Sequence, residues 1–196
     1  MLGGAKIGLV EFPLALMNPG DLLLLPDPGY PDYLSSVALA QIDYATFPLT
    51  KANHFLPDLT AIPEDVAKRA KFIYVNYPNN PTGAVATAAF YEELVAWAKA
   101  YDVGVISDFA YGALGAEGYE NPNFLSTPGA KDVGIELYTF SKTFNMAGWR
   151  LAFAAGNAQL IEALNLLQDH LFVSVFPAIQ DAGAVALLDE RPKDAV

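Results

Sequence analysis

Six short apolar runs, each cut off by turn-forming residues and separated by longer stretches with helical spacing, constrain this chain more than any other feature. The runs are Leu22–Leu25, Tyr44–Phe47, Phe72–Val75, Val103–Ser107, Leu137–Phe140 and Leu151–Ala154. The first lies between Asn18-Pro19-Gly20-Asp21 and Pro26-Asp27-Pro28-Gly29. Runs this short and this apolar suit strands buried on both faces. Between them, Thr87–Ala100 spaces Phe90, Tyr91, Leu94, Val95 and Trp97 at helical intervals, with Thr87 as its N-cap. Asn157 can cap a helix that opens at Ala158, and a further helix is expected over Gln180–Leu188. Such alternation predicts an α/β fold: a three-layer αβα arrangement around a mostly parallel sheet.

In sheets of this kind the ligand sits beyond the carboxyl ends of the strands, so the loops that follow the runs carry the chemistry. After Phe72–Val75 comes Asn76-Tyr77-Pro78-Asn79-Asn80-Pro81-Thr82-Gly83. After Val103–Ser107 come Asp108 and then Tyr111; after Leu137–Phe140 comes Ser141-Lys142. Taken alone, a lysine is most often a solvated surface charge. Lys142, however, is the only basic residue between Glu136 and Trp149 and follows an apolar strand. An amine in an apolar pocket or beside a second cation loses its proton more readily, and the neutral amine attacks aldehydes.

Asp108 follows a buried run directly, ordinarily the place of a cap or turn former. With Tyr111 close behind, it can instead face a ligand cleft. Arg150 carries a planar guanidinium suited to a phosphate dianion. Thr139 and Ser141 add hydroxyls. Gly3-Gly4-Ala5-Lys6 opens a helix whose free N–H groups are a second phosphate-binding device.

Composition removes other classes. Hydrophobic residues make up 53% and charged residues 17% of 196, which excludes a disordered chain and allows one sizeable domain. A net charge of -11 with no basic run argues against nucleic acid as a partner. There is no cysteine, hence no disulfide framework or thiolate metal site. No apolar run reaches the roughly 18 residues of a membrane span, and Met1 to Val10 lacks a signal pattern, so a cytoplasmic protein is expected. His54, in a proline-rich connection, and His170, at a helix end, have no second ligand at metal spacing, so no metal site is expected. The Gly112–Gly118 segment reads as a surface loop.

Together these features resemble a known family. Thr139-Phe140-Ser141-Lys142-Thr143-Phe144-Asn145-Met146-Ala147-Gly148-Trp149-Arg150 is similar to the lysine signature of the class I/II aminotransferases, the pyridoxal-phosphate (PLP) enzymes of fold type I. Asn79-Asn80-Pro81-Thr82-Gly83 resembles that family's Asn-Pro-Thr-Gly loop, and Asp108 to Tyr111 its Asp-x-x-Tyr element. Pro28-Gly29-Tyr30-Pro31-Asp32-Tyr33 resembles the segment that lays an aromatic ring over the cofactor. All four stand in family order. Asn145 to Trp149 fits the branch that includes the diaminopimelate and broad-specificity bacterial enzymes.

The resemblance implies roles residue by residue. Lys142 would bind the PLP aldehyde covalently and later shuttle a proton. Asp108 would pair with the ring nitrogen, whose protonation makes the cofactor a better electron sink. Asn80 and Tyr111 would bond the ring 3-oxygen, and Tyr30 would stack on the ring. Thr139, Ser141, Arg150, Ala5 and Lys6 would hold the phosphate. Ala5 departs from the serine common in similar sequences, so one phosphate hydrogen bond is lost or left to the backbone. The implied reaction moves an amino group between an amino acid and a 2-oxo acid, in a homodimer. The same resemblance admits a C–S lyase, or the aminotransferase-like sensor domain of a transcription regulator. Complete members are much longer, so residues 1–196 are expected to form an incomplete PLP-binding large domain. It would lack the segment before it and the small domain after it, and would turn over little on its own.

Overall fold

In the computed structural model, residues 1–115 and 118–189 are described. Six strands form one sheet: β1 (Leu22–Asp27), β2 (Asp43–Pro48), β3 (Ala70–Asn76), β4 (Gly104–Asp108), β5 (Gly134–Thr139) and β6 (Ala152–Gly156). Their order is β2-β1-β3-β4-β5-β6. The first five are parallel, and β6 runs antiparallel to β5. Each strand falls on one of the six apolar runs.

Eight helices surround the sheet in the described residues: α1 (Ala5–Leu16), α2 (Tyr33–Ala40), α3 (Glu64–Arg69), α4 (Ala88–Tyr101), α5 (Ala130–Val133), α6 (Phe140–Thr143), α7 (Ala158–Leu171) and α8 (Pro177–Leu188). Alternate strand residues feed two cores, because successive side chains leave a strand on opposite faces. Leu22, Leu24, Ile73, Val75 and Val105 pack with Phe90, Tyr91 and Leu94 of α4. Leu23, Leu25, Tyr74, Ile106 and Leu137 pack with Leu9 and Phe12 of α1, Tyr33 of α2 and Leu164 of α7. This is the expected three-layer αβα arrangement.

Two sequence expectations need correction. Burial on both faces holds along most of β1, β3, β4 and β5, but of the two edge strands β2 is largely exposed and β6 only half-buried. Val103, Phe140 and Leu151 also stand outside the strands proposed for them. The Thr139 hydroxyl oxygen accepts the Ser141 N–H at 3.2 Å, and this cap ends β5 and starts α6.

Two other caps are as expected. Asn157 Oδ1 accepts the N–H groups of Gln159 and Leu160 at 3.0 and 3.2 Å. Thr87 Oγ1 accepts the Phe90 N–H at 3.1 Å. Thr87→Ala should lower stability by about 1 kcal/mol, read as a lower urea midpoint with an unchanged m-value.

His54 and His170 are both exposed. Residues 116 and 117 of the Gly112–Gly118 segment lie outside the described residues; Asn121 Nδ2 ties the start of that segment down by donating to the carbonyls of Gly112 and Leu114. Among the described residues there is no group of three potential metal ligands. Nor is any helix long and apolar enough to cross a membrane.

The topology places the chemistry. After β1 the chain turns outward to β2, then returns to β3 on the other side of β1, so the strand order reverses there. A crevice opens beyond the carboxyl ends at such a reversal. Asn76, the last residue of β3, is the register partner of Asp108, the last residue of β4. Residues 140–151 then fold back on themselves, so that Arg150 returns to the strand end that carries Lys142.

Candidate active site

One cavity of about 300 Å³ lies at these strand ends. Ala5, Lys6, Tyr30, Asn80, Asp108, Tyr111, Thr139, Ser141, Lys142 and Arg150 all line it. Every site residue proposed from the sequence thus meets the others in one place, although they span the chain from α1 to the start of β6.

Asp108 forms the floor. It is buried, and its Oδ2 accepts the Tyr33 hydroxyl at 2.9 Å. Its Oδ1 has no hydrogen-bond partner. Burial pushes the carboxyl up to about 6, against the opposing pull of the Tyr33 hydroxyl and the Ala110 N–H. A buried carboxylate oxygen without a donor is costly. It is also what a protonated ring nitrogen would satisfy.

Asn76 braces the floor. Its Nδ2 donates to the Asp108 carbonyl at 2.7 Å, and its Oδ1 accepts the Asn80 N–H at 2.7 Å. One buried amide thereby locks the two loops that carry Asp108 and Asn80. Asn80 Nδ2 and the Tyr111 hydroxyl stand 3.5 Å apart, the outer limit for a hydrogen bond. Both keep capacity for an oxygen brought by a ligand.

Lys142 Nζ lies 5.5 Å from the centre of the Tyr111 ring. Among the described residues it has no carboxylate partner within ion-pair distance. The sequence suggests an apolar pocket around this amine; in the structure the side chain is exposed and borders the cavity. Short α6, which carries it, has no room to bury a long side chain on its own.

The cationic end of the cavity is built from three pieces. Helix α1 starts without a side-chain cap, so the N–H groups of Ala5 and Lys6 are free donors at the positive end of the helix. Gly4 has φ +110, and a Cβ there would collide with the Arg150 guanidinium; glycine lets arginine and helix terminus come together. Thr139 and Ser141 stand on the same wall. Lys6 also borders the cavity, but its ammonium pairs with Asp32 at 2.6 Å and lies 5.7 Å from the centre of the Tyr30 ring. Three cations and one acid thus line a cavity in a chain of net charge -11, a local reversal that suits a phosphate dianion.

Sequence reasoning missed Tyr33, which read only as part of an aromatic segment, and assigned no role to Asn76. Both are buried and reveal themselves only through their partners.

A cavity that joins a lysine without an ion-pair partner, a buried acid and a cationic helix terminus at the ends of parallel strands has the groups that a PLP cofactor would need. The family model for aminotransferase class I and II matches residues 1–195. The chain belongs to that PLP-dependent family. Among relatives, it is 56% identical over 191 residues to the L-glutamine–4-(methylsulfanyl)-2-oxobutanoate aminotransferase of Bacillus subtilis, covering 97% of this chain and 48% of that protein. It is 50% identical over 184 residues to the LL-diaminopimelate aminotransferase of Aquifex aeolicus, covering 94% of this chain and 48% of that one. A substrate-bound BacF structure from Bacillus subtilis superposes with a TM-score of 0.95 at 49% identity, over 98% of this chain and 49% of that one. The chain therefore spans about half the length of the curated relatives it matches.

Proposed function

We propose that this chain is the PLP-binding large domain of an aminotransferase that exchanges an amino group between an amino acid and a 2-oxo acid. The convergence of Lys142, Asp108 and the Arg150–α1 cradle on one cavity carries this reading. PLP bound there supplies an aldehyde that an amine can capture and a protonated ring that draws electrons from the substrate Cα. Arg150 and the first turn of α1 anchor the phosphate. Asp108 would hold a proton on the ring nitrogen, and Asn80 and Tyr111 would fix the ring oxygen. Tyr30 covers a ring face. Lys142 Nζ, on the cavity wall, would be the amine that takes the aldehyde and the base placed to move a proton. The absence of cysteine supports a cytoplasmic setting. Exposed Phe172, Val173 and Phe176, in the segment between α7 and α8, support a working form in which a second copy packs on them.

The test is reductive trapping. The 196-residue chain should turn yellow with PLP and lose the colour with borohydride, and peptide mass mapping should place the added mass on Lys142. A fixed cofactor on any other lysine, or none, would overturn the assignment.

A further inference from the structure

The mechanism above uses Asp108 but leaves unexplained why only one of its oxygens is available. Tyr33 is 2% exposed and sits at the first turn of α2. Its ring packs edge-on against Tyr30 and Tyr74, with centroids 5.6 and 5.3 Å apart. Its carbonyl accepts the Ser36 hydroxyl at 2.6 Å. The phenol is thus held on all sides, and its hydroxyl donates to Asp108 Oδ2.

We infer that Tyr33 is a positioning residue: by occupying one oxygen of Asp108 it orients the carboxylate and keeps the charge on the other, which has no hydrogen-bond partner among the described residues. This rests on the reading of Asp108 as partner of the ring nitrogen. Tyr30, by contrast, touches the ligand through its ring face, so the two tyrosines of Pro28-Gly29-Tyr30-Pro31-Asp32-Tyr33 divide the work. Around Asp108 stand Tyr33 from α2, Tyr74 from β3 and Tyr111 from the loop after β4. Lys142, Lys6 and Arg150 line the same cavity. Tyr33 is the one that donates to the carboxylate. Its hydrogen bond lowers the Asp108 pKa against a desolvation that raises it to about 6. Without the phenol, Asp108 would gain its proton nearer neutral pH and could no longer serve as the anion.

The experiment uses 4-deoxypyridoxine 5-phosphate, which has the ring nitrogen and phosphate but no aldehyde, so Lys142 chemistry does not enter. Its affinity is measured calorimetrically from pH 6 to 9 for the unmodified chain, Tyr33→Phe, Asp108→Ala and the double variant. In parallel, carboxyl NMR of the ligand-free chain follows the Asp108 midpoint. A hydrogen bond to a charged group is worth roughly 10- to 100-fold, so Tyr33→Phe should weaken binding by that factor near pH 7. The loss should shrink as pH rises, vanish in the Asp108→Ala background, and come with a higher Asp108 midpoint. Fluorotyrosine substituted for Tyr33, a stronger donor in the same shape, should shift the midpoint the opposite way. A loss that is constant across pH and persists without Asp108, or an unmoved midpoint, would make Tyr33 a packing residue and overturn the inference. Failure of the unmodified chain to bind the probe, or equal binding by Asp108→Ala, would instead overturn the Asp108 reading itself.

Discussion

Lys142→Ala should reduce borohydride-fixed cofactor to background while leaving the folded chain intact. The side chain is exposed and has no ion-pair partner among the described residues, so its truncation should change stability by no more than about 0.5 kcal/mol. The covalent link has a single donor in this geometry, and no graded loss is expected. Reversible binding should persist, because the Arg150–α1 cradle and Asp108 are untouched. The measurements are the visible band, mass mapping after reduction, and urea unfolding. Retained covalent cofactor at another lysine, Lys6 being the nearest rival on the cavity wall, would move the chemistry elsewhere.

The second large effect lies on the other face of the sheet. Glu136 of β5 is 8% exposed, and its Oε2 accepts both the Ser107 hydroxyl at 3.0 Å and the Phe124 N–H at 2.9 Å. Burial pushes its carboxyl up from 4.5 to about 7, against these two donors. A folded-state value above the unfolded one means that the fold favours the protonated acid. The stability this contributes is complete below about pH 4.5 and is lost as pH rises through about 7. The difference corresponds to about 3 kcal/mol.

Glutamine keeps an oxygen to accept both donors and carries no charge. Glu136→Gln should therefore match the parent near pH 4.5 and be more stable at pH 8 by up to about 3 kcal/mol, or roughly 6–12 °C in Tm. Thermal melts across that pH range decide it; an offset independent of pH would show that the charge is not the cause. Asp108 shifts in the same sense, so some decline toward high pH should remain in the variant.

Much of this architecture could be read before any coordinates, and the reason is physical. Buried parallel strands must be short and apolar along their whole length, and their loops must carry the polar groups, so Leu22–Leu25 or Phe72–Val75 announce themselves and point to Asn80, Asp108 and Lys142. The reversed direction of β6 is less visible, because apolar runs look alike in both directions. The short link between β5 and β6 is a weak hint, being at the lower limit for a crossover connection. Tyr33, Asn76 and Glu136 stayed hidden for another reason. Each is a polar residue within an apolar pattern, and its importance comes from a partner 75, 32 or 29 positions away. Lys142 was found by its motif, but its open surroundings were not, since solvent access depends on which neighbours fold over it.

The cavity draws on α1, the loops after β1, β3 and β4, the end of β5, α6 and the segment between α6 and β6. An isolated antiparallel pair, Leu2 with Ala152, ties the first residues of the chain to β6. No subset of these segments makes the pocket; it exists only when the whole sheet has closed. A ligand that recognises it therefore cannot bind the unfolded chain, and by mass action it deepens the folded basin, by about 2.7 kcal/mol at a free concentration one hundred times its Kd. PLP bound as proposed would therefore also slow proteolysis of this polypeptide by keeping it folded.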